Sequence, residues 1–117
     1  MEEIWKDIVG FEGYQISNLG KVRNCRFTKK YRVLTPWYSK SNLYFNIRLI
    51  DNFGKRKSFL LHRLLYLTFI GTIPKGKELD HIDRNTTNNS LDNLRIVTRS
   101  LNVVNQKIRQ GRESKVS

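Results

Sequence analysis

Asp80 and His81 stand side by side, Asn93 follows after a polar stretch, and Asn102 comes shortly beyond it. A carboxylate and an amide oxygen brought together can share a hard cation such as Mg²⁺, which prefers oxygen ligands. The imidazole is then left for proton transfer, and its unperturbed pKa of ~6.5 keeps it mostly neutral at physiological pH. Cys25 is the only cysteine, so an internal disulfide and a multi-cysteine zinc site are both excluded. Taken alone, Asp80 and His81 are equally compatible with an ordinary exposed turn.

The elements that must position these residues follow from the pattern around them. Glu78 to Ile82 alternates as a short strand, Arg84 to Ser90 is an Asn/Thr-rich loop, and Leu94 to Val97 is a second strand. Thr98 is an N-cap candidate for a last helix through Leu101, Val104, Asn105 and Ile108, which would carry Asn102 in its first turns. A strand–loop–strand–helix unit of this kind brings strand and helix together. Adjacent strand residues point to opposite faces, so Asp80 and His81 can address one group only where the strand ends or bulges. Asp83 and Asp92 either pair with Arg84 and Arg95 or cap turns.

Upstream, Tyr14–Ser17, Lys21–Asn24 and Tyr44–Ile50 alternate as antiparallel strands. Ser17–Gly20 and Asp51–Gly54 end in glycine as four-residue hairpin turns do. Leu61, Leu64, Leu65, Thr68 and Phe69 share one helical face, predicting a helix over about 60–70 closed by Gly71 and Pro74. The expected fold class is therefore α+β: an N-terminal antiparallel sheet, a linking helix, then the unit bearing Asp80 and His81. His62 at the helix start reads as a core or capping histidine, and Trp5 and Trp37 as core or rim aromatics.

The chain has 117 residues, a net charge of +12 and a sequence pI near 10.2. That length sets one compact unit with a small appended module and excludes a large multidomain enzyme. Lys21, Arg23, Arg26, Lys29, Lys30, Arg32, Lys40, Arg48, Lys55, Arg56, Lys57 and Arg63 face a single acid, Asp51, across the same segment, while the rest is almost neutral. Segregated positive charge interleaved with aromatics suits a polyanionic partner, because a partner's phosphates relieve its self-repulsion. The plainer alternative is a solvated sheet face. Apolar stretches fall well short of the ~18 residues a spanning helix needs. The acidic, amphipathic start is unlike a secretory leader, so a cytoplasmic protein is expected.

Three separated motifs carry a resemblance. The run Leu79-Asp80-His81-Ile82-Asp83-Arg84-Asn85, then Asn88-Asn89, Asp92-Asn93-Leu94-Arg95 and Asn102, resembles an HNH endonuclease with a ββα-metal, or His-Me finger, core of the phage intron homing branch. Glu3 to Ile8 with Gly13 to Arg23 resembles the nuclease-associated N-terminal DNA-binding module, and His62-Arg63-Leu64-Leu65 with Phe69-Ile70 resembles the joining helix. The resemblance implies the following boundaries: a basic β-rich DNA-binding module over 1–58, the linking helix over 59–74, the nuclease core over 75–110 and a basic tail over 111–117.

By that resemblance His81 is the general base, Asp80 and Asn102 hold one Mg²⁺ (Mn²⁺ as substitute), and Asn93 orients the histidine or holds the loop. Asn102 stands where many relatives place a second histidine, as in the homing branch. Lys21, Arg23, Arg26, Lys29, Lys30, Arg32, Arg48, Lys55, Arg56, Lys57 and Arg63 are the expected contacts to double-stranded DNA, with Arg23, Arg26 and Arg48 the candidates for groove entry. One base and one metal make one cut, so a monomer is expected to nick, and dimerisation or two encounters would cut both strands. The resemblance further implies a phage or mobile-element origin. Only Gln106 to Ser117 follow the last motif, where many relatives carry a further helical reading region, so degenerate site choice is expected. The competing readings are a DNA-binding protein that keeps the fold without cutting, and a single-stranded RNA binder stacking bases on the Tyr31 to Phe45 aromatics.

Overall fold

The structure is a computed structural model that describes residues 2–25 and 30–98. Among the described residues nine strands form three antiparallel sheets, in each of which strands adjacent in sequence pair. β1 (Trp5–Asp7), β2 (Tyr14–Ser17), β3 (Val22–Asn24) and β4 (Arg32–Leu34) form one sheet. β5 (Trp37–Ser39), β6 (Tyr44–Ile50) and β7 (Arg56–Leu60) form a second, and β8 (Lys77–His81) pairs with β9 (Leu94–Thr98) in a hairpin. The expected single N-terminal sheet is thus two. The break falls at Pro36, between β4 and β5, where a residue without an N–H interrupts the ladder.

Both glycine-ended turns form as hairpins. Gly20 donates to the Ser17 carbonyl at 2.9 Å and Gly54 to the Asp51 carbonyl at 3.0 Å. The Asp51 carboxylate accepts from the Phe53 and Lys55 N–H groups, each at 2.9 Å, and these donors, that of Lys55 foremost, hold its carboxyl below the usual range. At the other turn the buried Ser17 hydroxyl accepts from Leu19 and Lys21, each at 3.2 Å.

α1 (Leu61–Phe69) follows β7 without an intervening loop, and its buried residues Leu61, His62, Leu64 and Leu65 face the core. There they join Ile16, Val22, Ile47 and Leu49 from both sheets and Leu79 and Leu94 from the hairpin. Full burial contributes roughly 1.5–3 kcal/mol per leucine, so this shared cluster fastens the hairpin to the N-terminal sheets. The helix ends at Ile70, whose N–H bonds the Tyr66 carbonyl at 2.8 Å. No helix among the described residues is long and apolar enough to cross a membrane. The expected last helix, with Asn102, lies outside the described residues, as do Arg26, Lys29 and the tail.

Candidate functional site

β8 ends at His81, the residue after Asp80. Register pairs Asp80 with Arg95 and His81 with Leu94, and the chain then turns sharply, Arg84 donating to the His81 carbonyl at 2.9 Å. Arg84 takes φ of 61°, a left-handed conformation that a non-glycine residue adopts mainly in such tight turns. Both side chains are buried, each 2 % exposed. Arg95 reaches the Asp80 Oδ2 at 3.2 Å, so the sequence alternative that pairs Arg95 with an acid of the turn is replaced: the cross-strand register delivers it to Asp80.

The histidine is held by a residue the sequence did not single out for that role. His81 Nε2 lies 2.9 Å from Asn89 Oδ1, and Asn89 Nδ2 points to the Thr86 carbonyl at 3.4 Å. An amide oxygen only accepts, so with the amide so oriented this contact favours the tautomer that carries its proton on Nε2. Asn89 was visible only as half of the Asn88-Asn89 pair; nothing in that spacing told which amide faces the ring.

Asn93 lies at the foot of β9 and works on the loop. Its Oδ1 accepts from the Asp83 N–H at 3.1 Å, and its Nδ2 donates to Asp83 Oδ1 and to the Asn88 carbonyl, each at 2.9 Å. Asp83 also accepts from the Asn88 amide at 2.9 Å and the Asn85 N–H at 2.8 Å. These donors, Asn88 first, hold its carboxyl below the usual range against a smaller opposing effect of desolvation. Asp83 caps the loop rather than pairing with Arg84, and Asp92 accepts from the Ser90 hydroxyl at 2.6 Å.

Two rings pack against the histidine. Tyr44 of β6 and His62 of α1 stack with centroids 4.7 Å apart, and His81 lies 4.7 Å from His62 and 6.0 Å from Tyr44. Burial first, with repulsion by His81 when that ring is protonated and by Arg63, pushes the His62 pKa down to about 3, so this ring is neutral and serves as packing. A cleft of about 390 Å³ opens beside the stack, lined by Tyr44, His62, Arg63, Lys75, Lys77 and Glu78 among others.

Residues 44, 46, 48 and 50 share one face of β6, so the face that offers Tyr44 to the histidines also presents Arg48, with Arg56 opposite Ile50 on β7. Arg48 lies 5.8 Å from the Trp37 ring. Lys21, Lys30, Arg32, Lys55, Arg56 and Arg63 are likewise exposed, and Lys57 is exposed while reaching Asp51 at 3.6 Å. Arg23 differs. Its guanidinium lies 4.0 Å from the ring of Trp5 and 4.0 Å from that of Tyr31, and it donates twice to Gln15 Oε1 at 2.9 and 2.7 Å. Those contacts engage it within its own sheet, where a residue entering a groove would need its donors turned outward.

The donor chemistry suits a hard cation. Among the described residues no group of three or more His, Cys, Asp or Glu is placed to hold a metal ion. The buried carboxylate of Asp80 is an oxygen donor of the kind that hard divalent cations prefer.

Comparison with known proteins agrees with this layout. Residues 59–104 match the family model for HNH endonuclease, and residues 3–50 match that for the NUMOD4 motif. DNA endonuclease I-HmuI of Bacillus phage SP01 is 41% identical over 103 residues, covering 87% of this chain and 56% of that protein. H-N-H endonuclease F-TflII of Escherichia phage T5 is 32% identical over 111 residues, covering 93% of this chain and 55% of that protein. A solved structure described as DNA binding and cleavage by the HNH homing endonuclease I-HmuI superposes with a TM-score of 0.75 at 41% identity, over 93% of this chain and 59% of that one. The chain thus spans little more than half the length of these relatives. Residues 59–104 thus carry an HNH endonuclease segment and residues 3–50 ahead of it a NUMOD4 motif, on a fold shared with the solved homing endonuclease.

Proposed function

We propose that this chain is a metal-dependent DNA endonuclease of the homing type that hydrolyses one phosphodiester per site, nicking duplex DNA. The observation that carries the reading is the hold on His81: a histidine at the end of β8, beside a buried carboxylate, with its Nε2–H anchored on the Asn89 amide. Anchoring Nε2 assigns proton acceptance to Nδ1, which takes a proton from the attacking water as general base. Asn89 keeps the tautomer and the ring orientation, and the Tyr44 and His62 rings restrict the tilt of the imidazole. Asn93 acts one step back, by holding the loop from which Asn89 projects.

Asp80 and Asn102 would hold one divalent cation, Mg²⁺ with Mn²⁺ as substitute. When bound, it neutralises charge at the phosphate and the leaving oxygen. Arg95 holds Asp80 Oδ2 and so orients the carboxylate. The exposed face of β5–β7, with Arg48 and Arg56, continues through Tyr44 to His81, which supports a duplex lying over residues 1–58 with one strand led to the hairpin within 75–110, the helix of 59–74 bridging them. Residues 111–117 would add phosphate contacts.

Incubation of a pool of negatively supercoiled plasmids with the protein tests this directly. Open circles should appear with Mg²⁺ or Mn²⁺, not with EDTA. Asp80→Ala and Asn102→Ala should slow nicking and leave DNA binding intact. A wild-type protein that binds duplex DNA and leaves every plasmid supercoiled in both metals would establish the non-cleaving reading instead.

A further inference from the structure

Besides the Tyr44 ring, the NUMOD4 segment reaches the site through a turn. In the hairpin turn between β2 and β3, Gly20 has φ of +84° and lies so close to the loop that a Cβ there would collide with the Asn89 carbonyl oxygen and come within 3.0 Å of Asn89 Cβ. Gly10, Gly54, Gly71 and Gly76 meet nothing within 4 Å under the same substitution. Two residues back, the Asn18 carbonyl accepts the Leu91 N–H at 2.7 Å, so the turn grips the loop on both sides of Ser90.

The turn is itself rigid. Asn18 is buried, with its Oδ1 accepting from the Ile4 N–H at 2.7 Å and its Nδ2 donating to the Glu2 carbonyl at 3.0 Å. The Ser17 hydroxyl closes the turn from inside. Asn89, wedged against this turn, is the residue whose amide holds His81 Nε2.

We propose that Asn18 and Gly20 are positioning residues for His81: the turn fixes the Asn89–Leu91 stretch and thereby the orientation and tautomer of the imidazole. The N-terminal motif then completes the site as well as carrying basic surface, and its two contributions are separable. This inference rests on the reading of His81 as general base, and the test below distinguishes failure of the one from failure of the other.

The decisive comparison is Gly20→Ala against Gly10→Ala. Gly10 has φ of +87° and open space around it, so its variant carries the same backbone strain without the contact. The first readout is the ¹⁵N–¹H long-range spectrum of the His81 ring in the free protein, assigned by comparison with His62→Gln. The second is the single-turnover nicking rate on supercoiled plasmid, with Kd for that plasmid measured alongside. Gly20→Ala should move the His81 ring nitrogens away from the Nε2–H pattern and lower the rate at least tenfold, with Kd changed less than twofold; Gly10→Ala should leave the ring signals unmoved. Indistinguishable spectra and rates for the two variants would overturn the proposal. If Gly20→Ala fails to fold, Asn18→Ala, which deletes the turn's bonds to Ile4 and Glu2, must produce the ring change, and an unmoved ring there is equally fatal. A ring that responds while nicking does not would uphold the coupling and overturn the role of His81 as base.

Discussion

Replacing Asn93 with alanine should unfasten the loop, at a cost that follows from its bonds. The side chain makes three, two of them with the Asp83 N–H and the Asn88 carbonyl and one with the Asp83 carboxylate. A neutral bond nets roughly 0.5–1.5 kcal/mol and one to a charged group ~1.5–3 kcal/mol. Asp83 is exposed, which places the sum toward the lower end, about 2.5–4 kcal/mol. Against a total stability of ~5–15 kcal/mol, and at several degrees per kcal/mol for a chain of this length, the melting temperature should drop by about 10 °C. Asn93→Asp should be worse at pH 7, because it sets an oxygen against the Asp83 carboxylate, and should recover part of the deficit below about pH 4, where carboxylates protonate. Thermal melts of the three proteins at pH 7 and pH 4, with hydrogen exchange at Ile82 and Asp83, measure this. An Asn93→Ala protein within 0.5 kcal/mol of wild type would refute the assignment of Asn93 as the clamp of the loop.

His62, neutral in the fold and protonated in the unfolded chain below about pH 6.5, makes stability fall as pH drops from 6.5 toward its folded value of about 3, by up to about 1.4 kcal/mol per pH unit for one proton. His62→Phe, which keeps a ring against Tyr44 and His81, should flatten the stability–pH slope between pH 6 and 4 in chemical-denaturation series; an unchanged slope would contradict the burial argument. Duplex affinity should fall steeply with salt, and Arg48→Ala, Lys55→Ala and Arg56→Ala together should reduce the slope of log K against log salt by up to about 2.7, at ~0.9 per phosphate. An unchanged slope in that triple variant would place the DNA footprint elsewhere.

The parts of the fold that were legible in sequence are those whose signal is local. Glycines ending Ser17–Gly20 and Asp51–Gly54, the long alternation of Tyr44–Ile50 and the leucine face of α1 each announce their element within a few residues. β1, β4 and β5 have three residues each, too few for alternation to stand out, and β7 passes into α1 through Leu60 with no capping side chain to mark the border. The pair Asp80 and His81 was conspicuous because of residue type. Their partners were not: among Asn85, Asn88, Asn89 and Asn93, only the path of the loop decides which amide meets His81 and which meets Asp83. Arg23 stood out as a cation in a basic segment, whereas its place between Trp5 and Tyr31 depends on strand pairing across the sheet.

The central claim is that His81 moves the proton, and the single-turnover rate of His81→Ala tests it most directly. With saturating protein and Mg²⁺ on a supercoiled plasmid that the wild type nicks, loss of a general base should slow cleavage by about 10²–10⁴-fold while Kd for the plasmid stays within twofold. Nicking by His81→Ala at the wild-type rate would contradict the account.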